Sequence, residues 1–419
     1  MKKLDSIRDN FKNSQTRFSF YLTHFFFVNI IYFSIRKYDL WHFLSVPTMQ
    51  PGFADLRAYT TQVTCSQQGI NYLAENCDPY DRKIAFLQVW VPLFKLLNFN
   101  ESKTPHIGNA LQILLFLSIY SLAFMLKIQI LTLRNLIPFT LILISPPMAL
   151  LIERGQTEMF FFVSMTICVL LIRNGKNILA YTLLGLLSIL KIYPLILIII
   201  LLLFRPIKKK NWDVIVGASF LVVGTIILFI NRALVLEMTR ASVSYGFDRT
   251  FGVTNIPYAI VEAINLSGIT ESEVYLDRIH IQIIGLLFFC LSIIFLLISK
   301  KARRFKHASH ISNDTNSLTV LIFMSMVFVS YFLISSYDYR MVYLIPVFLC
   351  YLKAAETNDF PEKRYLLALF VVLLMWVQYN GIASVLIQPF LLLFISSVTI
   401  KALIDLGSMY KSMRFFTGS

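Results

Sequence analysis

The chain has 419 residues, 57% of them hydrophobic and 15% charged, with a net charge of +15. Soluble domains carry about one quarter charged residues, so this balance excludes an ordinary soluble enzyme and makes lipid the main solvent. The surplus of Lys and Arg falls in short loops between apolar runs, a pattern of membrane topology, and no nucleic-acid partner is expected.

A bilayer span needs about 20 mostly apolar residues. In chain order, apolar segments run near 18–35, 107–126, 135–152, 159–172, 178–190, 192–204, 213–231, 279–299, 318–335, 341–353, 365–379 and 382–400. The expected fold is all-α: a polytopic transmembrane bundle of about 10–12 membrane-embedded segments. It includes broken or re-entrant helices and an interfacial helix in the first outer loop. The first segment follows basic residues as in a signal peptide, but no small-residue cleavage site follows it, so a retained helix is expected. The segment 36–105 is too short and irregular for a core of its own, and residues 1–419 read as one membrane domain.

Basic residues cluster at the N-terminus (Lys2, Lys3, Arg8, Lys12, Arg17) and in the stretches 127–134, 173–176, 205–210, 300–306 and 401–414. Counting spans in order puts all of them on one side, which the positive-inside rule makes cytoplasmic. The loops 36–105, 153–158, 191–194, 232–278, 336–340 and 378–381 then face outward. They hold most of the unusual polar residues.

In the first outer loop, Asp55 follows Pro51-Gly52 at the head of a helix-compatible run. Asp55, Tyr59 and Gln62 recur at i, i+4 and i+7, on one helical face; Arg57 faces elsewhere. Two roles for Asp55 stay open, a general base and a helix N-cap. Residues 84–97 are apolar but short for a span, and suit a helix lying in the interface. Cys65 and Cys77 share this loop and have the option of a disulfide if it faces an oxidising space. Cys168, Cys290 and Cys350 sit in apolar runs as core filler.

Three later constellations stand out. The turn Glu153-Arg154-Gly155-Gln156-Thr157-Glu158 holds more polar groups than a plain turn needs. Burying them beside lipid is costly without partners, which makes Arg154, Gln156 and Glu158 candidate substrate-binding residues. Lys191-Ile192-Tyr193-Pro194 interrupts an apolar stretch from Ile178 to Phe204. Its halves, about 20 Å each at 1.5 Å per residue, are too short to cross alone. Irregular backbone at that depth is tolerated where it lines a cavity. A lysine there calls for an anionic partner, unless it snorkels to the surface. In Tyr337-Asp338-Tyr339-Arg340, Arg340 either binds a phosphate bidentately or pairs with Asp338. The six histidines form no metal-binding pattern, and no phosphate-binding or dinucleotide fingerprint occurs, so neither metal nor cofactor is expected.

These pieces together resemble a known group. FADLRAYTTQ (53–62), DPY (78–80), RGQ (154–156), LKIYPLIL (190–197) and DYRMVYLIP (338–346) occur in the order found in the GT-C superfold of membrane glycosyltransferases. Within it, the chain is similar to glycosyltransferase family 87, mannosyltransferase-like proteins. Each motif is weak alone, and their order over most of the chain is the stronger signal. The resemblance implies a polyprenyl-phosphate sugar donor, a lipid or glycan acceptor, work on the extracytoplasmic face and inversion at the sugar. It implies that Asp55 matches the catalytic acid of the first loop, and that Gln156 and Lys191 match positions near the donor. Arg340 and Arg57 are the further cations on offer to the phosphate. Thr157 stands where the family often has Asn, and Trp90-Val91-Pro92 where it often has Tyr-Pro-Pro. The implied location is a multi-pass protein of a bacterial cytoplasmic membrane.

Two rival functions remain at this point. A polysaccharide or O-antigen polymerase would use arginines of a large outer loop, and 232–278 carries Arg232, Arg240, Arg249 and Arg278. A lipid or solute transporter would be expected to show internal repeats, and none is visible.

Overall fold

Helix α1 (Lys2–Lys37) opens the computed structural model, which describes residues 2–71, 77–80, 90–130, 132–191, 194–203, 212–230, 250–251, 314–332, 336–357 and 361–377, with Phe394 and Val398. Tyr21, Phe25, Val28 and Tyr32 of α1 are buried, whereas Phe26, Phe27, Ile30 and Phe33 are exposed. A helix apolar on both its packed and its open face belongs in lipid. Its packed face meets α4 (Thr104–Met125). Proline at the head of α4 costs no hydrogen bond, because the first N–H groups of a helix have no intrahelical acceptor. Among the described residues, Gln15–Lys37 and Glu101–Met125 are long and apolar enough to cross a bilayer.

The expected single segment at 135–152 is instead two helices, α5 (Leu133–Leu143) and α6 (Pro146–Arg154), bent by 42°. The reason lies in Pro146-Pro147. A residue before proline is pushed out of the α region, and Ser145 is accordingly extended (φ −65°, ψ 152°). Taken as one bent span, the pair is a third candidate crossing.

Helix α7 (Glu158–Arg173) follows, then α8 (Asn177–Leu190), α9 (Pro194–Leu203) and α10 (Trp212–Ile230). The break expected at 191–194 is present, with Lys191 extended (φ −148°, ψ 142°). By their rise, α8 and α9 are about 21 Å and 15 Å long, each short of the ~30 Å hydrocarbon core. Helices α8, α9 and α10 pack on one another, and α8 also packs on α7.

Beyond the segment expected near 279–299, which lies outside the described residues, come α11 (Asp314–Phe332), a 3-10 segment (Asp338–Leu344), α12 (Ile345–Thr357) and α13 (Pro361–Val377). Nearly all of 382–400 also lies outside the described residues. Among the described residues, the one pairing of strands is a two-residue antiparallel match of β1 (Thr250–Phe251) with β2 (Ser336–Tyr337). The 3-10 segment packs against α6 and α11, with Met341, Val342, Tyr343 and Leu344 fully buried. The result is a helical membrane bundle.

The segment 36–105 folds onto one end of this bundle. It holds a 3-10 turn (Leu40–Leu44), α2 (Ala54–Gln67), α3 (Trp90–Leu96) and a 3-10 turn (Glu101–Lys103). Of the apolar run 84–97, Trp90–Leu96 is helical as α3, and residues 84–89 lie outside the described ones. Cys65 and Cys77 are joined as a disulfide, with Cα atoms 6.5 Å apart. Cys168 and Cys350 are buried free thiols.

Candidate active site

The turn leading into α2 is held peptide by peptide. Tyr80 Oη donates to the Pro51 carbonyl at 2.6 Å, Arg57 Nε donates to the Gly52 carbonyl at 3.0 Å, and the Phe53 N–H donates to the Glu153 carbonyl at 3.0 Å. Phe53 adopts the left-handed region (φ 63°), which is unusual for a residue with a Cβ. Its ring sits against Gly108 and Gly155, with the Arg36 guanidinium 4.3 Å from its centroid.

This entry makes Phe53 the N-cap and leaves Asp55 as the second residue of α2, with no side-chain cap. The N-cap reading of Asp55 is therefore overturned. A carboxylate in the first helical turn is still favoured by the helix dipole. Gln156 Nε2 donates to Asp55 Oδ2.

Gln156 reaches Asp55 because of how α6 ends. The Gly155 N–H bonds to the Ile152 carbonyl and the Gln156 N–H to the Leu151 carbonyl, the paired closure of a Schellman motif. Gly155 is left-handed (φ 63°), and a Cβ there would stand 2.9 Å from Phe53 Cδ1 and 3.1 Å from Leu56 Cβ. The turn needs glycine on both counts.

Two residues later, at the first position of α7, Glu158 is fully buried. Lys191 Nζ lies 2.6 Å from its Oε2 and Arg340 Nε lies 3.1 Å from its Oε1, while the two cations keep 18% and 12% side-chain exposure. Thr157 Oγ1 also donates to Oε2 at 3.2 Å. The internal anion that Lys191 and Arg340 share is thus Glu158. Lys191 further stands 5.4 Å from the Phe161 ring centroid. Asp55 lies within electrostatic reach of Lys191 and Tyr59. Burial first, and then the Glu158 carboxylate, push the Tyr59 hydroxyl well above its ordinary range, so Tyr59 stays a neutral hydrogen-bonding group.

The break that carries Lys191 is fixed from the segment 36–105. Trp90 Nε1 donates to the Leu190 carbonyl at 3.2 Å, satisfying one of the carbonyls left open at the end of α8. Trp90 in turn packs on Tyr59, centroids 5.4 Å apart. In the sequence Trp90 stood out by its place in the apolar run 84–97 and in Trp90-Val91-Pro92, and neither pointed to this duty.

The structure therefore brings together Asp55, Gln156, Glu158, Lys191 and Arg340, drawn from α2, the α6–α7 turn, the α8–α9 break and the 3-10 segment. Arg57 and Arg154 are used elsewhere. Arg57 holds Gly52 and lies 3.4 Å from Glu101. Arg154 contacts Met49 Sδ, donates to the Pro47 carbonyl at 3.3 Å and stands 3.0 Å from Glu153 Oε2. Tyr193 lies outside the described residues, as does the arginine-bearing loop 232–278 apart from Thr250 and Phe251. Two residues join the surroundings without having been named as binding candidates: Arg36, stacked over Phe53, and Glu153 of the polar turn, whose Oε1 accepts the Met49 N–H at 2.9 Å.

Chemically, a carboxylate steadied by a neutral amide stands beside two cations that share one buried anion. The first is what proton abstraction requires, and the second gathers two cationic side chains where an anion could be met.

A model of glycosyltransferase family 87 matches residues 106–336. The match takes in Gln156, Glu158 and Lys191, while Asp55 precedes it and Arg340 follows it. No curated protein and no solved structure matches the chain. With more than half of its length under that model, the chain belongs to glycosyltransferase family 87 and is a membrane glycosyltransferase.

Proposed function

We propose that the enzyme moves a hexose such as mannose from a polyprenyl-phosphate donor to a lipid or glycan acceptor, with inversion, at the extracytoplasmic face of a bacterial cytoplasmic membrane. The observation that carries the reading is the convergence of Lys191 and Arg340 on buried Glu158, beside Asp55. Asp55 takes the proton of the acceptor hydroxyl, whose oxygen attacks the anomeric carbon. The bond from that carbon to the phosphate oxygen breaks, and polyprenyl phosphate leaves with its new charge met by Lys191 and Arg340. Gln156 holds the Asp55 carboxylate in place. A prenyl chain reaches such a site through lipid, which suits a break between two half-length helices.

Two independent features support the extracytoplasmic orientation. Basic loops gather at one end of α4, at 127–134. A disulfide lies in the loop before its other end, and disulfides persist in oxidising spaces.

The test is transfer by the purified protein in lipid nanodiscs, comparing polyprenyl-phosphate hexoses with nucleotide-activated hexoses. Transfer from the polyprenyl-phosphate donor alone is expected. Transfer from a nucleotide sugar, or from no polyprenyl-phosphate hexose, would overturn the reading.

A further inference from the structure

We propose that Tyr80 and the Cys65–Cys77 disulfide form a strap that positions Asp55 for catalysis. The proposal rests on the reading of Asp55 as the base.

Asp55 stands in the first turn of α2 and Cys65 in its last, about 15 Å apart along the helix axis. From Cys65 the chain leaves α2, and the disulfide brings it back at Cys77. Three residues on, Tyr80 Oη donates to the Pro51 carbonyl at 2.6 Å. The stretch 77–80, extended by the Tyr80 side chain, therefore links the last turn of α2 to the turn before its first. Asp78 sets the geometry of that return: its side chain is buried and its Oδ1 accepts the Tyr80 N–H at 2.8 Å.

The far end of α2 has anchors of its own. Lys95 Nζ donates to Ser66 Oγ at 3.1 Å, and the Glu101 N–H donates to Thr64 Oγ1 at 3.1 Å. Tyr80 acts at the other end, on the entry turn. That turn reaches Asp55 through Gly52 and the left-handed Phe53, so a small rotation there displaces the carboxylate. Arg57 holds the Gly52 carbonyl and Glu153 the Phe53 N–H. Tyr80 supplies the third hold, and the disulfide supplies Tyr80. Tyr80 is thus a positioning residue, acting at Pro51, four positions before the carboxylate it serves.

The test combines Tyr80→Phe, which removes one oxygen, with the pair Cys65→Ser and Cys77→Ser. Misplacing a reacting group by about 1 Å costs up to a hundredfold in rate. Tyr80→Phe is expected to lower kcat between about tenfold and a hundredfold, with the KM for the polyprenyl-phosphate sugar unchanged because the phosphate is held elsewhere. The serine pair should lower kcat by a similar factor, and adding Tyr80→Phe to it should cost nothing more, because both act through one strap. If the serine pair fails to fold, dithiothreitol treatment of the folded parent enzyme replaces it, converting the disulfide to two thiols. The parent kcat in Tyr80→Phe would overturn the proposal, as would independent, multiplying losses. Asp55→Asn is measured alongside. If it abolishes transfer while Tyr80→Phe leaves it intact, the strap alone fails; if it retains full transfer, the assignment of the base fails.

Discussion

Lys191 Nζ lies 2.6 Å from Glu158 Oε2, and Arg340 takes the other oxygen of the same carboxylate. A fully buried carboxylate is costly to desolvate unless paired, and here two cations pair it, with the Asp55 carboxylate within electrostatic reach of Lys191.

Lys191→Met keeps the length of the side chain and removes its charge. A charge-assisted hydrogen bond is worth about 1.5–3 kcal/mol, so the KM for donor should rise about tenfold to a hundredfold, with insertion and folding retained because Arg340 still pairs Glu158. Steady-state kinetics over a donor series measures this. Unchanged donor dependence would return Lys191 to a structural role.

Removing the shared anion has a different signature. Glu158→Ala leaves two cations facing each other without the carboxylate they share, and breaking a buried pair in this way costs about 3–5 kcal/mol. The thermal unfolding temperature in detergent should fall clearly below that of Lys191→Met. Equal unfolding temperatures would show that Glu158 does not hold the cations together.

Gly155→Ala tests the turn that delivers Gln156. The left-handed conformation costs a residue with Cβ about 1–2 kcal/mol, and the added carbon would meet Phe53 and Leu56. Both stability and turnover should drop, because the collision moves the head of α2. A variant with unchanged unfolding temperature and kcat would contradict the packing of α2 on this turn.

Much of this architecture was legible in the sequence because it depends on local chemistry. The break at 191–194 follows from Lys191 and Pro194 inside an apolar stretch, and the helix bearing Asp55 from the run after Pro51-Gly52. The bend at Ser145 was equally local, marked by Pro146-Pro147, and continuous hydrophobicity masked it. Other features depended on tertiary contact. Arg340 meets Glu158 across 182 residues, and no spacing rule reaches that far. Arg154 and Gln156 flank one glycine yet point to different partners, because the left-handed Gly155 reverses the chain between them. Sequence spacing put both in one site, and the backbone separated them. Asp55 invited an N-cap reading, but the hydrogen bonds from Tyr80, Arg57 and Phe53 start the helix at Ala54.

Orientation is testable by thiol labelling of intact cells, in a background with Cys168, Cys290 and Cys350 replaced by serine. Gln68→Cys, on the loop after α2, should react with an impermeant reagent from outside. Lys176→Cys, in the basic turn between α7 and α8, should react only after permeabilisation. Both positions are exposed. Outside labelling at 176 would invert the scheme, because the positive-inside rule places that turn in the cytoplasm.

The most direct test of the account is the kcat of Asp55→Asn. Asparagine matches the aspartate in size, and its Oδ1 still accepts a hydrogen bond from Gln156. It cannot take a proton from an acceptor hydroxyl. Because Asp55 is not the helix cap, the substitution leaves the start of α2 intact. Transfer from the polyprenyl-phosphate sugar should fall by about 10²–10⁴-fold, with unfolding temperature and donor binding close to those of the parent. Turnover at the parent rate would contradict the assignment of Asp55 as the base.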